Sequence, residues 1–208
     1  DEVARAGLHR DRADERADQR DATIGEREQH PDLAAGVLWV TLLFAAMLGI
    51  SRLFVADHEE GGLDAFLLAP TDRTAMLVAK ALALFAFLAA VELVAVPAFA
   101  LLLLGPGPGI AAYLQLALLL VLADAGIALV GTMVGAMAVQ TRARDLLVPL
   151  LALPLLIPVI IGAAKGTTPL VLEAGARGVP VRWLLILGLY DLVFGLLAYA
   201  LFDYLIED

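Results

Sequence analysis

Four ionisable side chains stand inside long apolar stretches of this 208-residue chain: Lys80, Glu92, Asp124 and Asp191. In lipid, a charged group is costly and usually faces other helices, a polar partner or a watery path. Lys80 lies about a turn from the predicted edge of its stretch, which favours an anchoring role. For Glu92 and Asp124 two roles stay open, hydrogen bonding between helices or a place on a transport path. For Asp191, which follows Tyr190, a hydrogen-bonded link to another helix is favoured.

Other residues with chemical potential lack the spacing that their chemistry needs. The stretch from Gly162 to Thr168 contains glycine, lysine and threonine, but not in the order of a phosphate-binding loop. The histidines His9, His30 and His58 lie outside the apolar stretches without metal-ligand spacing, and there is no cysteine. We therefore predict no catalytic residue, no metal, no bound cofactor and no nucleotide site in this chain.

The composition predicts a membrane protein. Hydrophobic residues make up 61% of the chain and charged residues 18%, against about 45–50% and about 25% in soluble domains. The net charge of −9 argues against nucleic acid as a partner. Five apolar runs are long enough to cross a hydrocarbon core about 30 Å thick, and because they do not alternate with period two they predict helices rather than barrel strands. The expected fold is an all-α, polytopic transmembrane helix bundle with spans at 33–51, 75–104, 110–139, 146–164 and 183–204.

The connections between these spans predict an orientation. Lys and Arg favour the cytoplasmic side, and the side that carries the loops 52–74 and 140–145 has five of them against three on the other side. The second of these loops is a basic turn with Arg142, Arg144 and Asp145. The C-terminus is then cytoplasmic as well.

The first of these loops has an unusual order of residues. An acidic cluster, Asp57 to Glu60, precedes Gly61 and Gly62, and Leu63, Phe66 and Leu67 follow at helical spacing. This pattern predicts a short amphipathic helix at about 57–70, which either docks a partner protein or packs on its own bundle or lipid.

Small residues mark one face of the third span. Gly131 and Gly135 form a GxxxG element, which lets helix backbones approach closely. Packing within the bundle is favoured over a seam between two copies.

Several of these features together resemble a known family. Gly36-Val37-Leu38-Trp39-Val40 opens a span, Asp57-x-Glu59-Glu60-Gly61-Gly62-Leu63-Asp64-x-Phe66-Leu67-Leu68-Ala69-Pro70 follows it, and Val78-Ala79-Lys80 begins the next. These residues look like the CcmB family, the permease subunit of the haem exporter of cytochrome c maturation. The resemblance covers about residues 33–208, which would form the permease domain, and the acidic-glycine-leucine-proline loop is its specific part.

The resemblance implies a larger assembly in the inner membrane. It implies six spans, a dimeric permease, a separate ABC-type ATPase that uses ATP, further membrane proteins of cytochrome c maturation, and haem as a possible substrate of the complex. The coupling helix that docks on the ATPase would comprise Asp57, Glu59, Glu60, Gly61, Leu63, Phe66, Leu67, Leu68 and Pro70.

The first 32 residues depart from the family, which has a span before Leu33. They contain ten acidic residues and six arginines, a composition expected of a disordered or loosely helical segment. A lost span and a reading-frame artefact are both compatible with it, and an apolar run of about 20 residues in another frame would identify the artefact.

Two other functions remain open at this stage. One is an ABC-2-type permease for a lipid, drug or polysaccharide. The other is an intramembrane enzyme that uses Glu92, Asp124 or Asp191 as an acid or base, which would need a defined mutual geometry of these groups.

Overall fold

The computed structural model describes residues 33–53, 73–101, 110–139, 144–171 and 178–205. Within these ranges the chain is helical except at residues 178–180, and it contains no strand. Five helices are long and apolar enough to cross a membrane, which confirms the predicted all-α membrane bundle. They are α1 (Leu33–Leu53), α2 (Arg73–Phe99), α3 (Ile110–Val139), α4 (Arg144–Val171) and α5 (Val181–Leu205).

Helix α4 is longer than its apolar stretch indicated. It begins at Arg144, so Arg144 and Asp145 start a helix rather than belong to a turn. It ends at Val171 instead of Ala164, and Lys165 therefore lies in the helix. The predicted start of the membrane span, Leu146, is confirmed, whereas its predicted end was wrong because Lys165 and Gly166 continue the helix. Pro149, Pro154, Pro158 and Pro169 all lie inside it. Each proline removes one backbone donor, but a chain in lipid has no water to hydrogen-bond an unwound segment, so helix remains the favoured state.

Helix α3 is the centre of the bundle. Of its apolar span 67% is buried inside the protein, against 11% for α5. It packs against α2, α4 and α5, and its Gly131 also meets Ile50 of α1. The large, fully buried side chains come from α3 itself and from the other four helices, among them Leu119 and Ile127 of α3 and Trp39, Leu42, Leu84, Leu156 and Leu187 of the others.

Glycines fix how close the neighbours of α3 approach. A Cβ atom on Gly131 would lie 2.7 Å from the side chains of both Ile50 and Leu84. A second close approach joins α3 and α4, where a Cβ on Gly166 of α4 would lie 2.8 Å from Leu119 of α3. Real Cβ atoms do not come this close to their neighbours, so a larger residue at either position would require the neighbouring side chains or the helices to shift.

A buried hydrogen bond connects α1 to α4 at the end of the bundle where α1 begins. The Trp39 indole Nε1 donates to Thr167 Oγ1 over 2.9 Å, and this hydroxyl donates in turn to the Ala163 carbonyl over 2.8 Å. Both side chains are almost fully buried. Such a link orients α1 because an indole N–H without an acceptor in this environment would be unfavourable.

The close approach at Gly131 predicts a large cost for a bulky residue there. We expect Gly131→Leu to lower the free energy of unfolding by about 1–3 kcal/mol, because the added atoms overlap Ile50 and Leu84. Unfolding by dodecyl sulfate in mixed micelles measures it. Gly188→Leu is the control, since no heavy atom lies within 4 Å of a Cβ at that position. Equal stability of the two variants would contradict the packing argument.

Candidate functional site

Two of the membrane-embedded carboxyl groups meet between α2 and α3. These helices run antiparallel, with Leu84 of α2 packed on Gly131 of α3. Two helical turns further along this contact, eight residues on in α2 and seven back in α3, stand Glu92 and Asp124. Their side chains share a hydrogen bond. The packing at Gly131 thus sets the register that brings the two carboxyl groups together.

This carboxyl pair is enclosed by the bundle. Glu92 is 8% exposed and Asp124 is 2% exposed. The Oε1 atom of Glu92 is buried and has no hydrogen-bond partner within the described part of the chain. Buried polar atoms are normally paired, so an unpaired oxygen in the core requires a chemical explanation.

Asp191 occupies a different place. It lies on α5 against Gly126 of α3, where a Cβ on the glycine would be 2.6 Å from Asp191 Oδ1. This Oδ1 atom is buried and finds no hydrogen-bond partner among the described residues. The three carboxyl groups that the sequence singles out therefore form two sites, the Glu92–Asp124 pair and the separate Asp191.

The hydrogen bond from this part of α5 to a neighbouring helix comes from Tyr190. Its hydroxyl donates to the Leu155 carbonyl of α4 over 2.6 Å, and its ring stacks on Phe194 with centroids 4.3 Å apart. The accepting carbonyl lies between Pro154 and Pro158 of α4. Sequence reasoning did not assign this role to Tyr190. The prolines of α4 do not mark Leu155, because Pro158 removes the donor to the carbonyl of residue 154, one position earlier.

The other predicted site residues fall into two groups. The coupling-helix residues between Asp57 and Pro70, and Arg142 of the basic turn, lie outside the described residues, as do all three histidines. Gly131 and Gly135 are both buried in α3, and the neighbours of Gly131 belong to α1 and α2 of the same chain.

The glycine-rich stretch 162–168 is a regular part of α4 and not a loop. Gly162 packs near Leu187, and Gly166 packs on Leu119. The hydroxyl groups of Thr167 and Thr168 donate to carbonyls one turn earlier in the helix. A phosphate-binding loop presents free backbone N–H groups to its ligand, which a continuous helix interior does not.

The contact between Tyr190 and α4 can be tested by removing one oxygen. Tyr190→Phe keeps the ring stack on Phe194 but leaves the Leu155 carbonyl without this donor, so we expect the free energy of unfolding to fall by about 1 kcal/mol. Tyr199→Phe is the matched control because Tyr199 is 64% exposed. The argument fails if both variants unfold as the unchanged chain does.

Comparison with known proteins gives a consistent set of relatives. A family model described as "CcmB protein" matches residues 23–203. Heme exporter protein B of Rhodobacter capsulatus is 35% identical over 150 residues, which is 72% of this chain and 65% of that protein. The protein of the same name in Bradyrhizobium diazoefficiens is 34% identical over 176 residues, covering 82% of this chain and 78% of the relative. That of Pseudomonas aeruginosa is 33% identical over 148 residues, covering 71% and 63%.

No solved structure matches the chain. The matches to the three relatives cover between about three fifths and four fifths of the length of those proteins. The family model covers most of its residues, including all five membrane helices except the last part of α5. With this match, the five apolar helices and the acidic-glycine-leucine-proline loop, the chain belongs to the CcmB family.

Proposed function

We propose that this chain is the permease subunit of an ABC-type haem exporter that acts in cytochrome c maturation. The observation that carries the proposal is the family match over residues 23–203, whose relatives bear the name Heme exporter protein B. The five membrane-crossing helices suit a transport subunit. Haem is then the cargo of the complex, and this chain contributes the membrane-embedded part.

A separate ATPase subunit supplies the energy in this proposal. The segment 57–70 would dock on it, with Leu63, Phe66 and Leu67 as the apolar ridge and Glu59 and Glu60 as charges that set the register. Helix α2 begins at Arg73, only three residues after Pro70. A displacement of the docked segment would therefore act directly on α2.

Helix α2 can carry such a displacement into the membrane. It has 27 residues, about 40 Å at 1.5 Å per residue. Two contacts couple it to the central helix α3: Leu84 on Gly131, and the Glu92–Asp124 hydrogen bond. Because packed helices shift as rigid bodies, closure of the ATPase would move α2 against α3.

The same proposal includes the membrane location, the orientation and the assembly of the chain. It lies in the inner membrane, with the loop 54–72 and the C-terminus on the cytoplasmic side, where basic residues are more numerous. It works as a homodimer together with further membrane proteins of cytochrome c maturation, as the family resemblance implies.

The test of function is a haem measurement on the assembled complex. We expect the chain, co-purified with its ATPase and membrane partners, to carry haem whose absorption spectrum changes when ATP is added. A hydrolysis-resistant ATP analogue and a complex without the ATPase are the controls. A complex that contains the ATPase but never haem, together with normal c-type cytochromes in a strain that lacks this chain, would contradict the proposal and favour another substrate.

Docking of the ATPase depends on the acidic loop in this proposal. We expect the double charge reversal Glu59→Lys and Glu60→Lys to reduce ATPase co-purification at least about tenfold, since removing or reversing a close charge pair at an interface costs a few kcal/mol. Glu173→Lys, in the connection between α4 and α5, reverses a single charge on the opposite side and should leave co-purification unchanged. Unchanged association of the double variant would exclude this docking site.

The proposed orientation can be measured with introduced cysteines, because the chain has none of its own. An impermeant maleimide should label Ala176→Cys, between α4 and α5, from the periplasmic side of spheroplasts. Thr141→Cys, between α3 and α4, should react only after the membrane is opened. The reverse labelling pattern would invert the proposed topology.

A further inference from the structure

We propose that the Glu92–Asp124 pair is an intramembrane proton-binding site, which holds at least one proton while α2 and α3 are packed together and releases it when they part. The ligand is a proton and not a metal ion. The proposal concerns a site within the membrane and does not depend on which substrate the complex transports.

The hydrogen bond between the two side chains requires the proton. An ionised carboxylate has only acceptor oxygens, so two carboxylates have no hydrogen to share. The side chains of Glu92 and Asp124 lie close enough to interact, and a carboxylic acid at one of them supplies the O–H that the other can accept. Two adjacent negative charges in a site that is 8% and 2% exposed would also repel each other with little screening.

The unpaired oxygen of Glu92 identifies the acid form independently. Oε1 is buried with no hydrogen-bond partner in the part of the chain that the structure describes. A carboxylate shares its negative charge between both oxygens, and burying one of them without a donor is very unfavourable. The carbonyl oxygen of a neutral acid carries far less charge. The arrangement is consistent with a protonated Glu92 that uses its hydroxyl on Asp124 and keeps Oε1 as a free carbonyl oxygen.

No described positive group from the surrounding helices faces the pair. On α2 itself, Lys80 is 12 residues away, which is about 18 Å along the helix. On α5, Tyr190 donates to Leu155 and Asp191 lies against Gly126. The remaining titratable side chains described in the bundle stand nearer the helix ends or at the surface, namely Arg52, Tyr113, Lys165, Arg182 and Tyr199. A proton, rather than a lysine or arginine, therefore balances the charge of the pair.

The position of the pair makes proton binding depend on helix packing. Leu84 and Gly131 hold α2 and α3 at close distance two turns from the carboxyl groups. If α2 moves away from α3, the shared hydrogen bond breaks and water reaches both groups. The O–H bond of the acid then breaks, its electron pair stays on the carboxylate, and the proton passes to water. Return of α2 would take up a proton again.

Infrared spectra of the full chain in lipid nanodiscs test whether the pair holds a proton. We expect the unchanged chain to show the carbonyl band of a protonated carboxylic acid, which shifts in D2O. The double variant Glu92→Gln and Asp124→Asn should lose the part of that band that the pair contributes, whereas Asp191→Asn, the control at the separate site, should leave that part unchanged. A double variant with the same band intensity as the unchanged chain would overturn the proposal. If the double variant does not fold, the two single amide variants replace it, because each retains a donor for the other carboxyl group.

The choice of ligand and the dependence on packing are tested in the same preparation. Addition of Na⁺ or K⁺ at constant pH should leave the band unchanged; its loss would assign the site to a cation instead.

Gly131→Ala, whose Cβ would lie 2.7 Å from Ile50 and Leu84, should reduce the band although both carboxyl groups are intact. Gly188→Ala, which adds a methyl group where there is open space, should not. An undiminished band in Gly131→Ala would overturn the coupling of proton binding to α2–α3 packing.

Discussion

Every backbone and side-chain polar group inside the hydrocarbon must find its partner within the protein, and this constraint governs the whole bundle. It keeps α4 helical through four prolines. It also explains the threonines, since Thr41, Thr132, Thr167 and Thr168 each donate their hydroxyl to a carbonyl one turn earlier. Tyr190 of α5 likewise donates its hydroxyl to the Leu155 carbonyl of α4. Among the described residues two buried oxygens are exceptions, Glu92 Oε1 and Asp191 Oδ1, and they are therefore the positions where chemistry beyond packing is to be sought.

Small residues on α3 determine where the neighbouring helices can approach closely, and so how the helices are arranged. In lipid, apolar side chains gain little by leaving the solvent, so helices associate where close packing and hydrogen bonds are possible. Gly131 admits Ile50 and Leu84, and Gly126 admits Val159 and Asp191. These contacts set the register of α3 against its neighbours. The carboxyl pair depends on that register, because a shift of α2 by one residue would turn Glu92 away from Asp124.

The proposed function and the carboxyl pair meet in helix α2. At one end α2 follows the acidic loop where an ATPase would dock, and within the membrane its Glu92 is hydrogen-bonded to the central helix. A movement that begins at the loop thus reaches a site whose proton occupancy depends on the distance between α2 and α3. The contact between α2 and α3 would in this way link the movement of α2 to the binding or release of a proton.

The sequence by itself determined the five membrane helices and the family, because length, continuous hydrophobicity and the order of residues in one loop are local properties. It also located each intramembrane carboxyl group along its helix. It did not determine where α4 ends, since the helix continues through Lys165 and Gly166 to Val171. Only the tertiary structure decided which groups meet. Glu92 and Asp124 come from helices whose relative register rests on the contact of Leu84 with Gly131, whereas Asp191 is carried by α5 to Gly126. The position of a residue within its apolar span indicates how deep it lies in the membrane. The direction in which its side chain points depends instead on how the neighbouring helices pack.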